Sequence, residues 1–250
     1  AARLKGKIAE YEGLCAAYHD TETLIELDGS GDLTIQCEVI APRDVSATGF
    51  FLDRCRGKLS FGLTENVYGG ASLKTGFLEL SDHDADLYAR VYLKEEGADA
   101  DLHTASICRM PLNYDIETIH EAGHTAGTME NYGLVTGKAP WTIVCAGRIN
   151  KYSIGAQSHQ TTRIMTIADP KQVKILPILY IDENDVEASH ACSLGQPDEE
   201  VLYYMESRGL DRRKAIGLMT IGYIMPVSQM FHDESMRQLI GDTITQKVQL

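Results

Sequence analysis

The sequence predicts a mainly β protein with helical segments at both ends. Between about residue 22 and residue 192, short apolar segments recur roughly every ten residues, separated by Gly, Asp and Asn and by no helical pattern. The first and last stretches instead carry apolar residues at helical spacing. Strands without intervening helices fit a sandwich, a barrel or a parallel β-solenoid. Since no exact repeat register is visible, the spacing alone does not choose among these three folds.

The first predicted element is an N-terminal helix over residues 1–18. Its apolar residues are spaced as on one helical face: Leu4, Ile8, Tyr11, Leu14 and Cys15. Residues 19–195 follow as the predicted β core. The last strand of that core is expected over 186–192, where small and β-branched residues dominate.

Three helices are predicted in a C-terminal segment, residues 196–250. Aspartate or proline stands where each of the first two would begin, and glycine or proline stands where each would end. The predicted helices cover about 197–208, 211–225 and 233–246. Their apolar stripes have two interpretations, packing against the β core or docking of a partner protein.

Charge and composition exclude several classes of partner. The chain has 250 residues, with 23 Lys plus Arg against 36 Asp plus Glu, and a formal net charge of -13. Such an acidic chain is repelled by nucleic acid and by anionic membrane surfaces, so neither is an expected partner. No apolar run approaches the roughly 20 residues that a membrane helix needs. The length suits one large domain, or one domain with appendages.

The six cysteines show no C-x-x-C spacing. In a chain of this size we expect reduced thiols in a cytoplasmic protein rather than a disulfide framework. Five of the cysteines are expected to be small buried hydrophobic residues: Cys15, Cys37, Cys55, Cys108 and Cys145. Cys192 is the exception.

His190 and Cys192 form a candidate pair of soft metal ligands. They lie two residues apart on a predicted strand, so they should share one face, roughly 7 Å apart. Thiolate suits iron-sulfur clusters and imidazole suits iron or zinc, whereas carboxylates suit harder ions. The residues alone also fit another interpretation, a hydrogen-bonded core histidine beside a buried thiol.

A second motif, H-E-A-G-H from His120 to His124, matches the H-E-x-x-H signature of zinc proteases. That chemistry needs both histidines one helical turn apart, with Glu121 activating a zinc-bound water. Here residues 114–119 alternate as in a strand, and the glycines and threonines that follow are weak helix formers. A zinc metalloprotease is therefore kept as the alternative function.

Nucleotide and serine chemistry lack their motifs in this chain. It contains no G-x-x-x-x-G-K-[ST] loop, so the lysine of an ATPase would have to come from another protein. It also lacks the G-x-S-x-G elbow of serine hydrolases.

The stretch over 189–210 reads S-H-A-C-S-L-G-Q-P-D-E-E-V-L-Y-Y-M-E-S-R-G-L and resembles the SufB/SufD family of iron-sulfur cluster assembly proteins. Members of that family read close to S-H-G-A-T-x-G-Q-x-D-E-E-x-x-F-Y-L-x-S-R-G-I. Three shorter upstream stretches are also similar to the family: 137–139, 146–149 and 155–157. The resemblance is clear over about 125–226.

The resemblance implies a right-handed parallel β-helix flanked by helices. It also implies a scaffold subunit rather than an enzyme, with a transient iron-sulfur cluster as its cargo. The expected partners are a SufC-like ABC ATPase, docked on the C-terminal helices, and a second β-helix, either an identical copy or a paralogue. Such a pair would bring His190 and Cys192 of two subunits together. A third possibility is a β-helical adaptor that has lost its cluster ligands.

The chain departs from the family pattern at the candidate site. Ala191 stands where a SufB-like carboxylate follows the histidine, and Thr162 lies near the position of a SufB-like acceptor cysteine. Cys192 replaces a threonine of the common pattern, so we expect it to supply the thiol that SufB provides from a neighbouring strand. Glu187 is a weaker candidate because it points to the opposite face of a regular strand.

Overall fold

The structure, a computed structural model, describes residues 2–6, 9–16, 20–167 and 169–248, with side chains from residue 20 onward except at 170. Fifteen strands lie within these ranges. They are β1 (Ala2–Gly6), β2 (Ala9–Ala16), β3 (Thr21–Gly29), β4 (Leu33–Ala41), β5 (Ser46–Asp53), β6 (Leu59–Val67), β7 (Ser72–Glu79), β8 (Ala85–Leu93), β9 (Asp99–Cys108), β10 (Leu112–His120), β11 (Ala126–Val135), β12 (Trp141–Ile149), β13 (Gln157–Thr166), β14 (Val173–Ile181) and β15 (Glu187–Gly195).

The strands alternate between two parallel sheets. Odd-numbered strands form an eight-stranded sheet in the order β1 to β15, and even-numbered strands form a seven-stranded sheet in the order β2 to β14. Each coil of the chain therefore adds one strand to each sheet, which is the arrangement of a parallel β-helix. The fold class expected from the family resemblance is confirmed.

The length of a coil changes along the molecule. Leu33 pairs with Leu59 and Leu59 with Ala85, so these two coils are each 26 residues long. Further on, Trp141 pairs with Val173 because the loops between strands have lengthened. This drift explains why no exact repeat register is visible in the sequence.

Alternate side chains of each strand fill the space between the two sheets. The largest of them form a row of rings in which each contacts the next, with centroids 4.9 to 6.0 Å apart. The rings belong to Phe51, Phe61, Phe77, Tyr114 and Trp141. Aromatic pairs at such distances contribute beyond the area that they bury, so this row holds successive coils together.

Three helices follow the last strand, as predicted. They are α1 (Glu199–Ser207), α2 (Arg212–Ile224) and α3 (Glu234–Val248), and a 3₁₀ segment, Met225–Met230, joins the last two. Asp198 and Asp211 cap α1 and α2 by accepting hydrogen bonds from backbone N–H groups. No helix in the described part of the chain is long and apolar enough to cross a membrane.

The helices α2 and α3 cover the outer face of the odd-numbered sheet. Phe50 and Leu78, which point outward from that sheet, are buried with Ile224 of α2 and Ile240 of α3 in a second apolar core. The ring of Phe231 lies 5.3 Å from that of Phe50. The apolar stripe of α2 therefore packs against the β core, the first of its two interpretations.

The predicted N-terminal helix over residues 1–18 is wrong. The described part of this stretch forms β1 and β2, which pair in parallel with β3 and β4. Residues 9–13, A-E-Y-E-G, also alternate with the period of a strand. Pairing with the next coil outweighs the helical spacing, which reports only a local preference. Residues 1, 7, 8, 17 and 18 of the predicted helix lie outside the described residues.

Candidate functional site

His190 and Cys192 lie on β15, the edge strand of the odd-numbered sheet. In the pairing of β15 with β13, His190 stands opposite Gln160 and Cys192 opposite Thr162. Strands stacked in register keep their side chains pointing to the same side. The two candidate ligands therefore share a face, as predicted, and continue an inward-facing row of β13.

That row is buried on β13 but uncovered on β15. Ser158, Gln160 and Thr162 are nearly inaccessible, whereas His190 and Cys192 are exposed. The difference arises because no further coil stacks on β15 in the described chain. The interpretation of the pair as a core histidine beside a buried thiol therefore does not hold.

A buried polar column ends directly behind Cys192. Thr104 Oγ1 donates to Asn131 Oδ1 at 2.8 Å, and Asn131 Nδ2 lies 3.3 Å from Thr162 Oγ1 and 3.2 Å from Cys145 Sγ. Burial raises the pKa of the Cys145 thiol to about 12, so this thiol stays protonated. Thr162 is thus a hydrogen-bonded hydroxyl of the interior. Cys192 is the accessible thiol in front of it.

Partial burial raises the pKa of the Cys192 thiol above its ordinary value. The thiol is therefore protonated at neutral pH, and it would lose its proton when a metal ion binds the sulfur. Glu187, on the same strand, points to the opposite face because it is an odd number of residues from both ligands.

The end of the β-helix that carries β15 also exposes apolar side chains. The strand β14 is the edge of the even-numbered sheet, and it contains Pro177, a residue that sheets tolerate at their edges. Four large apolar side chains are exposed on these two edge strands: Leu176, Tyr180, Ile181 and Leu194. We name the surface formed by β14 and β15 the open end.

A second exposed surface lies on the helices. In α1 only Leu202 is buried, while Val201, Tyr203 and Tyr204 are exposed. Beside it, a groove of about 470 Å³ is lined by apolar and basic side chains of α2 and α3, among them Leu218 and Lys214. We name α1 and this groove the helical surface. It is joined to the open end by only the few residues between Cys192 and the start of α1.

The H-E-x-x-H motif does not form the site of a zinc protease. His120 is the last residue of β10, and His124 lies in the following turn with a φ of 50° rather than one helical turn further along a helix. His120 is buried, with Nδ1 2.8 Å from Thr125 Oγ1. Burial lowers the pKa of His120 to about 4. The metalloprotease alternative is therefore not supported.

A buried cluster of Asp53, Glu79 and His83 was not predicted from the sequence. Candidate metal-binding atoms of these three side chains all lie within 4.8 Å of one another. Such clusters of three or more ligand side chains occur nowhere else among the described residues. The spacing from Asp53 to Glu79 equals the 26-residue coil, a signal that becomes readable only once the coil length is known.

Comparisons with known proteins agree with the family resemblance of the motif over 189–210. The family model described as "SUF system FeS cluster assembly, SufBD core domain" matches residues 64–223. The iron-sulfur cluster assembly protein SufD of Bacillus subtilis is 28% identical over 220 residues, which cover 84% of this chain and 49% of that protein. SufD of Escherichia coli is 25% identical over 104 residues, 41% of this chain and 25% of that protein.

A third relative is a SufBD family protein of Pyrococcus horikoshii, PH1385, which is 28% identical over 86 residues, 34% of this chain and 19% of that protein. The chain therefore spans about half the length, or less, of these curated relatives.

Proposed function

Because the chain belongs to the SufBD family of the SUF iron-sulfur cluster assembly system, we propose that it is a scaffold subunit that forms or passes on iron-sulfur clusters together with a SufC-like ABC ATPase. The observation that carries this proposal is the open end, where an imidazole and a thiol stand exposed on an edge strand. Because the described cysteines are free thiols, a reducing compartment such as the cytoplasm suits the protein.

His190 and Cys192 are the proposed cluster ligands. Clusters are commonly held by four protein ligands, mostly thiolates, with imidazole replacing thiolate in some of them. One chain offers two ligands at the open end, so two copies offer four. A cluster shared between two subunits loses half of its ligands when the subunits part, which suits cargo that must be passed on.

The second β-helix of this proposal is an identical copy or a paralogue that meets the first at the open end. An edge strand presents unpaired backbone N–H and C=O groups to another strand. Exposed Leu176, Tyr180 and Leu194 supply apolar area for the same contact. A two-fold arrangement would place the ligands of both copies near one axis.

The ATPase is proposed to dock on the helical surface. Exposed Tyr203 and Tyr204 on α1 are aromatic anchors of the kind that dominate protein interfaces. The scaffold has no P-loop of its own, so the energy of ATP hydrolysis would enter through this contact. Because α1 follows closely after Cys192, a force applied to α1 would be transmitted almost directly to β15, the strand that carries the proposed ligands.

Anaerobic reconstitution with ferrous iron and sulfide tests the ligands. We expect the wild-type protein to develop the charge-transfer absorbance of a cluster, and Cys192→Ser and His190→Ala each to lose most of it while keeping the far-ultraviolet circular dichroism of the wild type. Both side chains are exposed, so neither change should disturb folding.

His124→Asn is the matched control for this experiment. It removes an imidazole outside the open end, and asparagine tolerates the left-handed backbone at that position. We expect its cluster content to equal that of the wild type. Equal cluster content in Cys192→Ser, His190→Ala and the wild type would show that the cluster is held elsewhere.

A further inference from the structure

The cluster of Asp53, Glu79 and His83 is built by the register of two successive coils. Leu52 of β5 pairs with Leu78 of β7, so the next residues, Asp53 and Glu79, end their strands side by side. His83 follows in the turn after β7. All three side chains are buried, and Glu79 has no exposed surface.

Each of the three side chains is fixed through one atom, while its second atom faces the cluster, where Ser81 Oγ donates to Asp53 Oδ2 at 3.5 Å. A backbone N–H donates to Asp53 Oδ1 from Cys55 at 2.7 Å, and another donates to Glu79 Oε1 from Ser81 at 2.7 Å. His83 Nδ1 lies 3.0 Å from the carbonyl oxygen of Asp84 and donates to it. Outer partners of this kind fix the orientation of metal ligands in proteins.

The second atoms of the three side chains, Asp53 Oδ2, Glu79 Oε2 and His83 Nε2, lie close together. Glu79 Oε2 and His83 Nε2 are buried and form no hydrogen bond within the described structure. His83 Nε2 lies 3.4 Å from Asp53 Oδ2. Two ligands bound at about 2.1 Å to a tetrahedral ion stand about 3.4 Å apart, so this pair already has the required separation.

Two carboxylates at a buried point need a compensating positive charge or a proton. A divalent cation would neutralise both carboxylates and would also bind Nε2 of His83, which lies beside Asp53 Oδ2 and forms no hydrogen bond with any described residue.

We propose that Asp53, Glu79 and His83 bind a divalent transition-metal ion that ties two coils of the β-helix together. One imidazole and two carboxylates suit zinc, ferrous iron or manganese, and the burial of all three ligands is typical of a structural site. The site is separate from the open end, because it lies on β5, β7 and the turn after β7, whereas His190 and Cys192 lie on β15.

Zinc titration of the full chain tests this site. The parent protein carries His190→Ala and Cys192→Ser, so that the open end cannot bind zinc, and it is stripped of metal with a chelator. We expect one zinc ion per chain and a rise in the thermal midpoint on binding. Glu79→Gln and His83→Asn should each weaken zinc binding by at least about tenfold.

Glu65→Gln is the matched control, because Glu65 is also a fully buried carboxylate but lies on β6, outside the cluster. Zinc affinity should be unchanged by this substitution. Absence of zinc binding to the parent protein, or equal affinity in Glu79→Gln and the parent, would overturn the proposal.

X-ray absorption on the zinc-loaded parent identifies the ligand atoms even if Glu79→Gln and His83→Asn fail to fold. We expect the zinc to be coordinated by nitrogen and oxygen only. A sulfur ligand would overturn the assignment, because none of the three proposed residues contains sulfur.

Discussion

Gly133, on β11, faces the interior at a point where the ring of Trp141 passes directly over the backbone. A Cβ added at this position would overlap the indole ring. We expect Gly133→Ala to lower the free energy of unfolding by about 1–3 kcal/mol, because an overpacked core must shift its side chains or its backbone. Urea unfolding followed by the fluorescence of Trp141, the only tryptophan, measures the change.

Gly49→Ala is the control for that prediction, since a Cβ at Gly49 would meet nothing within 4 Å. It should leave the free energy of unfolding within about 0.5 kcal/mol of the wild type, as most substitutions free of clashes do. Equal losses in both variants would show that the loss of glycine itself, rather than the indole contact, is responsible.

Glu65 makes stability depend on pH. Burial raises the pKa of Glu65 to about 7 from its ordinary 4.5, so the folded protein holds this proton more tightly than the unfolded chain. The stabilisation is complete below about pH 4.5 and is lost as the pH rises through about 7. Relative to Glu65→Gln, the wild type should lose up to about 3 kcal/mol of unfolding free energy over that interval.

Urea unfolding of the wild type and Glu65→Gln at pH 5 and pH 8 tests this prediction. The exposed Glu96 serves as the control position, and Glu96→Gln should follow the wild type at both values of pH. A constant difference between the wild type and Glu65→Gln would show that Glu65 keeps the same protonation state throughout.

Single residues also show where prediction from the sequence stops. That His190 and Cys192 share a face follows from the two-residue period of a strand. Their exposure does not, because it depends on whether another coil stacks on β15. The cluster of Asp53, Glu79 and His83 could not be predicted from the sequence either, because the proximity of its members follows from the pairing register of successive coils.

At the scale of elements, α1 exposes two aromatic side chains, Tyr203 and Tyr204, that are not buried against the β core. If the proposed ABC ATPase docks there, Tyr203→Ser combined with Tyr204→Ser should abolish its co-purification, since truncating such anchors typically costs about 2 kcal/mol or more of binding free energy each. The thermal midpoint should stay within error of the wild type, because both side chains are exposed.

Leu239→Ser is the control for this pair, because Leu239 is a comparably exposed apolar residue on α3. It should leave the binding of the ATPase unchanged. Undiminished binding by the double tyrosine variant would place the dock away from α1.

The helices that begin at a capping residue were predictable from the sequence. The N-terminal stretch, which offers only a helical spacing of apolar residues, was not. The three C-terminal helices begin close to where capping aspartates and proline place them. The stretch over 1–18 has no such signals, and its described part joins the sheets through backbone pairing with later strands. A short apolar pattern reflects local spacing only, so it does not show that the segment pairs with a strand one full coil later in the sequence.

For the whole molecule, the β-helix and its helices should unfold together. Ile240 of α3 is buried against the outer face of the odd-numbered sheet. Ile240→Asp should lower the unfolding free energy by about 3 kcal/mol or more, because it leaves an uncompensated buried charge. Circular dichroism of the helices and fluorescence of Trp141, inside the β-helix, should report one coincident transition.

Leu239→Asp, one residue earlier and exposed, should have little effect on either signal. Two separate transitions in the wild type would show instead that the helices fold independently of the β core.

The proposed contact between two copies is also tested at this scale. We expect the wild-type protein to be dimeric by light scattering, and Leu194→Lys to shift it to monomer, because a charge would then replace an exposed apolar side chain of the proposed contact. Lys58, which is exposed far from the open end, offers a control: Lys58→Leu should remain dimeric. A wild type that is monomeric at every concentration would contradict pairing with an identical copy.

The open end also bears on how large an assembly can grow. Two uncovered strand edges are a template on which further chains can add, as they do in fibres. A head-to-tail contact would leave a fresh edge after each addition and would not close. A two-fold contact instead pairs the open ends of both molecules with each other, so no further chain can add at that end. The contact that we propose for sharing cluster ligands would thus also protect the open end from polymerisation, and a chain without its partner should be the one that aggregates.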